Sequence, residues 1–413
     1  MFKKYFNSVY LFIIPLIILS LGYLIFGLRT NSYFSVDDFA VLAYLKNHNI
    51  LQMSFDFLIN GDVFGFRKLT GFVFFGSLFK IFGTNNYAFD VFMFLTNTIN
   101  LIILFLIVKK LTKNDFTAFF VSLIFNKNYL FYYSNIHEHL VALFCFLTIY
   151  LFLTYPKKFY LSVISFILAL FTKETAFTVP LVLFAISFFK KLDRKKIYYL
   201  FRISVLYGIY ASYFFITQKV LTPNFSYTVA SKVVDLFRGF LYFVDIKILI
   251  LLILLPILTK KYKYLPLLLV GLITLIPASL LVNRREMYYI YMPFGYLLIY
   301  LSMFLPKLNI KTSIIYILIL FIFGGRSILP KIAWQEFPNW QKVSMFNVVS
   351  RVEGNINVNP EIKKINISDI SLERDANLML ESGTIDLFIN KTIASKYSFV
   401  YNKGDNTIEV EKR

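Results

Sequence analysis

The sequence predicts an all-α polytopic membrane protein of about eleven transmembrane helices, followed by a small α/β appendage. Three observations predict it. Apolar runs recur from residue 9 to residue 330, most of them about 18 to 22 residues long and sufficient to cross a hydrocarbon core of roughly 30 Å. Short basic clusters fall in every second gap between those runs. At Lys331 the composition turns charged and polar. With 58% hydrophobic and only 16% charged residues, a soluble domain is excluded. The runs lack the alternation of a transmembrane barrel.

The predicted spans are 9–28, 89–108, 115–133, 137–154, 159–172, 174–189, 197–217, 239–258, 263–282, 287–305 and 312–330. The first follows Lys3 and Lys4 and has no small-residue cleavage site after it, so it reads as a retained helix. The stretch 69–82 is too short to cross comfortably and contains Lys80. It reads as interfacial or re-entrant. The fifth and sixth spans form a tight hairpin.

The lysines orient the chain. Lys109, Lys110 and Lys113 follow the second span, Lys157 and Lys158 the fourth, and Lys190, Lys191, Arg194, Lys195 and Lys196 the sixth. Lys260, Lys261 and Lys263 follow the eighth, and Lys307 and Lys311 the tenth. A cytoplasmic N-terminus accounts for all of them, because cytoplasmic loops carry the excess of Lys and Arg. The net charge of +20 is therefore a membrane signature, with anionic lipid as neighbour, and nucleic acid is not an expected partner. The single cysteine, Cys145, sits inside an apolar run and excludes a disulfide within the chain.

This orientation gathers a second set of ionisable residues on the extracytoplasmic side. They are Asp37, Asp38, Asp56, Asp62, Arg67, Lys68, His137, Glu138, His139, Lys173, Glu174, Arg284, Arg285 and Glu286. Charges that are costly near a bilayer and unexplained by orientation mark a candidate site. Adjacent carboxylates such as Asp37-Asp38 repel one another, a cost that a reacting hydroxyl, a cation or a fixed basic partner offsets. Chemistry that uses a carboxylate base and fixed cations fits the set. A carboxylate can take a proton from an attacking hydroxyl, a contribution of about 10²- to 10⁴-fold. Fixed cations stabilise negative charge that develops in a transition state, arginine by a bidentate fork and lysine as a point charge.

Each feature has a plainer reading beside it. Lys173-Glu174 also fits a solvated turn, and Arg284-Arg285 also fit basic residues snorkelling to lipid phosphates. His137 and His139, two apart on a helix, face different ways, which argues against a metal there. Asn97 and Asn100, three apart, fit bonds between helices better than contact with substrate. Trp334 and Trp340 fit an interfacial belt.

Four segments carry a family resemblance: Asp37-Asp38, Arg67-x-Leu69, Lys173-Glu174-Thr175 and Tyr289-x-Tyr291-x-Pro293. In this order, and over about 1–330, the chain resembles the GT-C superfamily of membrane glycosyltransferases. The likeness is greatest to the transmembrane O-mannosyltransferases that carry tetratricopeptide repeats, and to their bacterial relatives. Lys68 replaces the proline of the family's Arg-Pro-Leu segment. The family's arginine before Tyr-x-Tyr-x-Pro would fall at Tyr288, with Arg284 and Arg285 one helical turn earlier. No repeat near 34 residues follows.

The resemblance implies a catalytic domain over 1–330, with an extracytoplasmic loop at 29–88, and sugar transfer from a polyprenyl-phosphate donor to an acceptor hydroxyl, with inversion. It implies Asp37 as base and Asp38 positioning it or the acceptor. Arg284, Arg285, Arg67 and Lys173 become candidates for the donor phosphate, with Glu174, Tyr289 and Tyr291 in support. No cofactor is implied, although a divalent metal is compatible. The sugar and the acceptor are left open. A transporter or flippase of a lipid-linked substrate is the alternative from another class, and a ligase or polymerase of lipid-linked oligosaccharide a third reading.

The tail, 331–413, reads as a small extracytoplasmic α/β unit. Strands are predicted at 365–367, 384–389, 397–401 and 407–410, with a helix near 371–381. About 80 residues give a marginal core, so docking on the helical part is expected. The tail carries no catalytic signature.

Overall fold

The computed structural model describes residues 12–18, 20–21, 42–46, 48–49, 52, 76–126, 136–217, 232–244, 246–280, 287–305, 339–370, 372 and 374–413. Asp37, Asp38, Arg67, Arg284 and Arg285, together with the spans at 312–330 and most of 9–28, lie outside the described residues. The described chain is mostly helical, with a small sheet near its C-terminus.

After α1 (Ser77–Phe82) comes α2, Asn86–Thr112, whose 27 residues span about 40 Å at 1.5 Å per residue. Asn85 caps it by accepting from the Tyr87 N–H, and Lys113 ends it in the left-handed region at φ 59°. The bundle continues through α3 (Asp115–Asn126), α4 (Ile136–Thr154), α5 (Phe159–Thr172), α6 (Val179–Ser187) and α7 (Arg194–Thr217). It is completed by α8 (Val233–Phe243), α9 (Ile246–Leu258), α10 (Leu265–Leu280) and α11 (Tyr291–Ser302). Three helical stretches among the described residues are long and apolar enough to cross a membrane: Tyr87–Thr112, Ile136–Thr154 and Tyr262–Leu280.

Two predicted spans are broken. Within 174–189, residues Glu174–Thr178 form a 3-10 turn before the nine-residue α6, which starts with Pro180 in its first turn. The stretch 239–258 is divided between α8 and α9, because Val244 adopts an extended backbone (φ −132°, ψ 115°). α8 carries Asp235 and Arg238 on one side and packs closely on α10: a Cβ at Gly239 would meet the Ser279 carbonyl oxygen at 2.2 Å. That close approach fixes α8 on its neighbour rather than in line with α9. In the 69–82 stretch, the described part forms α1, and Lys80 donates from Nζ to the Leu45 carbonyl at 2.7 Å.

Two apolar clusters organise the molecule. The larger runs through the bundle and includes Leu101, Phe105, Val141, Ile149, Leu183 and Tyr300. The second joins Phe89, Met93, Ile136 and Leu140, at one end of that bundle, to Val348, Ile365 and Ile408 of the tail. Thr84 Oγ1 donates to the Leu387 carbonyl at 3.1 Å. Lys46 Nζ reaches the Asp386 carboxylate at 2.8 Å and the Gly383 carbonyl at 2.9 Å. The tail is thus docked, and it shares its core with the bundle.

The first described element of the tail is α12, Asn339–Val358, a helix absent from the sequence-based expectation. Strands β1 (Lys364–Asn366), β2 (Tyr397–Asn402) and β3 (Thr407–Lys412) form an antiparallel sheet in the order β1-β3-β2. Ile365 sits opposite Ile408, and Phe399 opposite Val410. Helix α13 occupies Arg374–Glu381, where a helix was predicted. The predicted strand at 384–389 is instead a 3-10 turn over Ile385–Leu387. Its buried residues Ile385 and Ile389 are four apart, a helical spacing rather than the period of two a strand needs.

Candidate functional site: a polar layer between two apolar clusters

Between the two clusters lies a layer of buried polar side chains. α5 ends at Thr172, and Lys173 turns extended (φ −162°, ψ 147°) before the 3-10 turn begins. This extension drives the Lys173 side chain inward, where it is 1% exposed. Its ammonium meets the equally buried carboxylate of Glu138, in the first turn of α4. His137 Nε2 lies 3.6 Å from the same carboxylate oxygen. On its other side the Lys173 ammonium lies 4.7 Å from the ring centre of Tyr289, a cation–π contact.

The layer continues on Tyr291, the first residue of α11, which is fully buried. Its hydroxyl donates to Asn97 Oδ1 at 2.8 Å and accepts from Asn100 Nδ2 at 3.3 Å. Asn97 Nδ2 donates onward to Asn126 Oδ1 at 3.1 Å, and Asn100 Nδ2 also reaches the His139 carbonyl at 2.8 Å. The His139 ring packs on Tyr291 with centroids 4.5 Å apart. Four helices (α2, α3, α4 and α11) are tied by this chain of amides and one phenol. Such a network fixes register, since each member left unbonded in an apolar bundle costs about 1–3 kcal/mol.

Of the site residues read from the sequence, Lys173 and Tyr289 are in contact, and Tyr291 lies in the same layer. Glu174 is half-buried at the start of the 3-10 turn. Asn97 and Asn100 bond neighbouring helices, as their spacing predicted. The residue underweighted from sequence is Glu138, which the sequence marks only as one of the extracytoplasmic charges. An acid in the first turn of an apolar span was the available signal, because such a residue is costly without a partner.

No protein-family model matches the chain, no curated protein matches it, and no solved structure matches it. Fold and layer define a helical protein with stretches long enough to cross a membrane and a buried ionic group at one end.

Proposed function

We propose that the protein is a multi-pass membrane glycosyltransferase of about eleven spans, with a cytoplasmic N-terminus and its active site and tail on the extracytoplasmic side. It transfers a sugar from a polyprenyl-phosphate donor to an acceptor hydroxyl. One observation carries this reading: Lys173 and Tyr289, from two motif segments far apart in sequence, are in contact. They lie at the end of the bundle away from Lys109 and Lys110, in the last turn of α2, and from Lys157 and Lys158, which follow α4.

In the proposed reaction the acceptor oxygen attacks the sugar C1 and the C1–O bond to phosphate breaks. Polyprenyl phosphate leaves with the bonding electron pair, and the hydroxyl proton passes to Asp37. Asp38 positions that base or the acceptor. Arg284 and Arg285 hold the departing phosphate, with Arg67 in support. Lys173 already carries a carboxylate, so it offers a phosphate less charge than a free cation; its role is to hold Tyr289 and the turn that precedes α6.

The test is to incubate purified protein with a panel of polyprenyl-phosphate monosaccharides and measure released polyprenyl phosphate. Release that Asp37→Asn abolishes supports the reading; no release with any donor and a range of hydroxyl acceptors counts against it. The buried Glu138–Lys173 pair also favours a second reading, a transporter of a lipid-linked substrate, because ionisable groups inside helical bundles often couple to ions. Transbilayer movement of labelled donor in proteoliposomes, without turnover, would select that reading instead.

A further inference from the structure

The opposite end of the bundle has a different chemistry. Segments 109–115, 155–159 and 188–196 carry ten Lys and Arg side chains against two carboxylates, Asp115 and Asp193. Asp115 is engaged by Lys109 at 2.8 Å. Asp193 accepts from the Lys195 N–H at 3.0 Å and lies 3.7 Å from Lys196 Nζ. Among the described residues no carboxylate pairs with Lys190 or Lys191. Lys190 is also crowded: partial burial first, then the charges of Lys113 and Lys110, hold its ammonium below the usual lysine pKa. Cations gathered without a counter-ion repel, and a bound anion relieves that repulsion.

Beside this crowd opens a cleft of about 100 Å³. Phe152, Leu153, Pro156 and Phe159 line it together with Lys191, Leu192, Lys196 and Asp193, whose carboxylate is the one already turned toward Lys196 and the Lys195 N–H. Lys196 crosses it, donating to the Pro156 carbonyl at 2.7 Å and lying 5.6 Å from the Phe159 ring centre. In the neighbouring sequence, Tyr155, Tyr160, Phe188, Tyr198 and Tyr199 are exposed. Aromatic rings interleaved with lysines at the ends of apolar helices are the composition of a membrane interface.

We propose that this cleft binds the phosphate of an anionic phospholipid headgroup. Lys191 supplies charge from the lining and Lys190, outside the lining and next to it in the chain, adds the crowded charge it shares with Lys110 and Lys113, while the apolar wall and exposed rings receive the glycerol and the start of the acyl chains. A free phosphate would satisfy the lysines but leave the apolar wall unused. The source is therefore a lipid. The inference is independent of the catalytic reading.

The test places the full chain in phosphatidylcholine vesicles with trace spin-labelled phosphatidylglycerol or phosphatidylcholine and measures the immobilised fraction of each. Wild type should prefer the anionic probe. Lys190→Gln with Lys191→Gln should lower that preference about fivefold or more, given the contribution of each lysine near an anionic surface. Lys260→Gln with Lys263→Gln, the same charge removed from another basic turn, should leave it nearly unchanged. Arginine at 190 and 191 should retain it, and excess inorganic phosphate at constant ionic strength should not displace the probe. No preference in wild type, equal losses in both glutamine pairs, loss in the arginine variant, or displacement by free phosphate would each overturn the proposal.

Discussion

Lys173 and Glu138, which are 35 positions apart, form an ion pair with both side chains 1% exposed. Breaking one side of such a pair leaves a buried charge, whereas removing both sides does not. Lys173→Met should therefore destabilise the protein by about 3–5 kcal/mol. Lys173→Met combined with Glu138→Gln should cost less than the sum of the single changes by about 1 kcal/mol or more. Unfolding in detergent of all four proteins of the cycle measures this directly. Strict additivity would mean that the two groups do not depend on one another.

Tyr291→Phe keeps the ring against His139 and removes the hydroxyl that links Asn97 to Asn100. Two buried amides lose a partner, so a loss of about 1–3 kcal/mol is expected. Asn126→Ala, which takes away only the outer member of the chain, should cost less. A reversed order in measured unfolding would place the weight of the network on Asn97–Asn126 instead.

Asp37→Asn should lower transfer by about 10²-fold or more, with donor binding largely kept, because the amide preserves shape and cannot take the proton. Near-normal turnover in Asp37→Asn with a dead Asp38→Asn would reverse the two roles. Alanine at whichever of Arg284 and Arg285 holds the phosphate should weaken donor use by about 2–5 kcal/mol, with lysine recovering only part of it. If neither alanine variant changes donor affinity, the phosphate is held elsewhere.

The docking of the tail rests in part on Asp386, whose side chain is 9% exposed between Lys46 at 2.8 Å and Arg413 at 3.1 Å. Asp386→Asn should loosen the contact while leaving α12 and the sheet folded. Hydrogen exchange should then rise at 383–389 and at 42–46, with α4 unchanged. Protection that stays as in wild type would assign the docking to the apolar cluster alone.

Arg351 bonds Asp369 through Nη2 at 2.7 Å and, as the largest cause, holds that carboxyl below its ordinary 3.8. A lowered folded-state pKa adds stability that is present above the unfolded value and lost as pH falls through the folded one. Arg351→Met should thus be less stable than wild type at pH 6, and the gap should close as pH drops below about 3.8. A gap that persists at low pH would show that Arg351 acts through packing.

The helices were legible where apolar length and turn chemistry agree. The ends of the span predicted at 159–172 coincide with α5, which a lysine turn precedes and the Lys173 kink follows. The division between α8 and α9 was hidden, because an unbroken apolar run does not report where a backbone turns extended. The 3-10 turn at 385–387 was hidden for a related reason: β-branched residues gave it strand propensity, and the burial of Ile385 and Ile389 overrode it. α12 escaped notice because its apolar positions are diluted by Asn, Ser and Gly. In the polar layer, Lys173, Tyr289 and Tyr291 stood out as motif members. Pairing Lys173 with Glu138 needed the antiparallel packing of α4 on α5, which no local pattern records.

The sheet order β1-β3-β2 bears on how the protein is made. The last of these three strands in sequence is the middle strand in space. While a ribosome has yet to deliver residues 407–412, β1 and β2 have no hydrogen-bonded neighbour in this sheet, and Ile365 and Phe399 lack the residues they face. Unpaired strand edges and bare apolar faces are what chaperones and proteases bind. A chain that lacks residues 407–412 therefore loses the centre of this sheet rather than one edge of it.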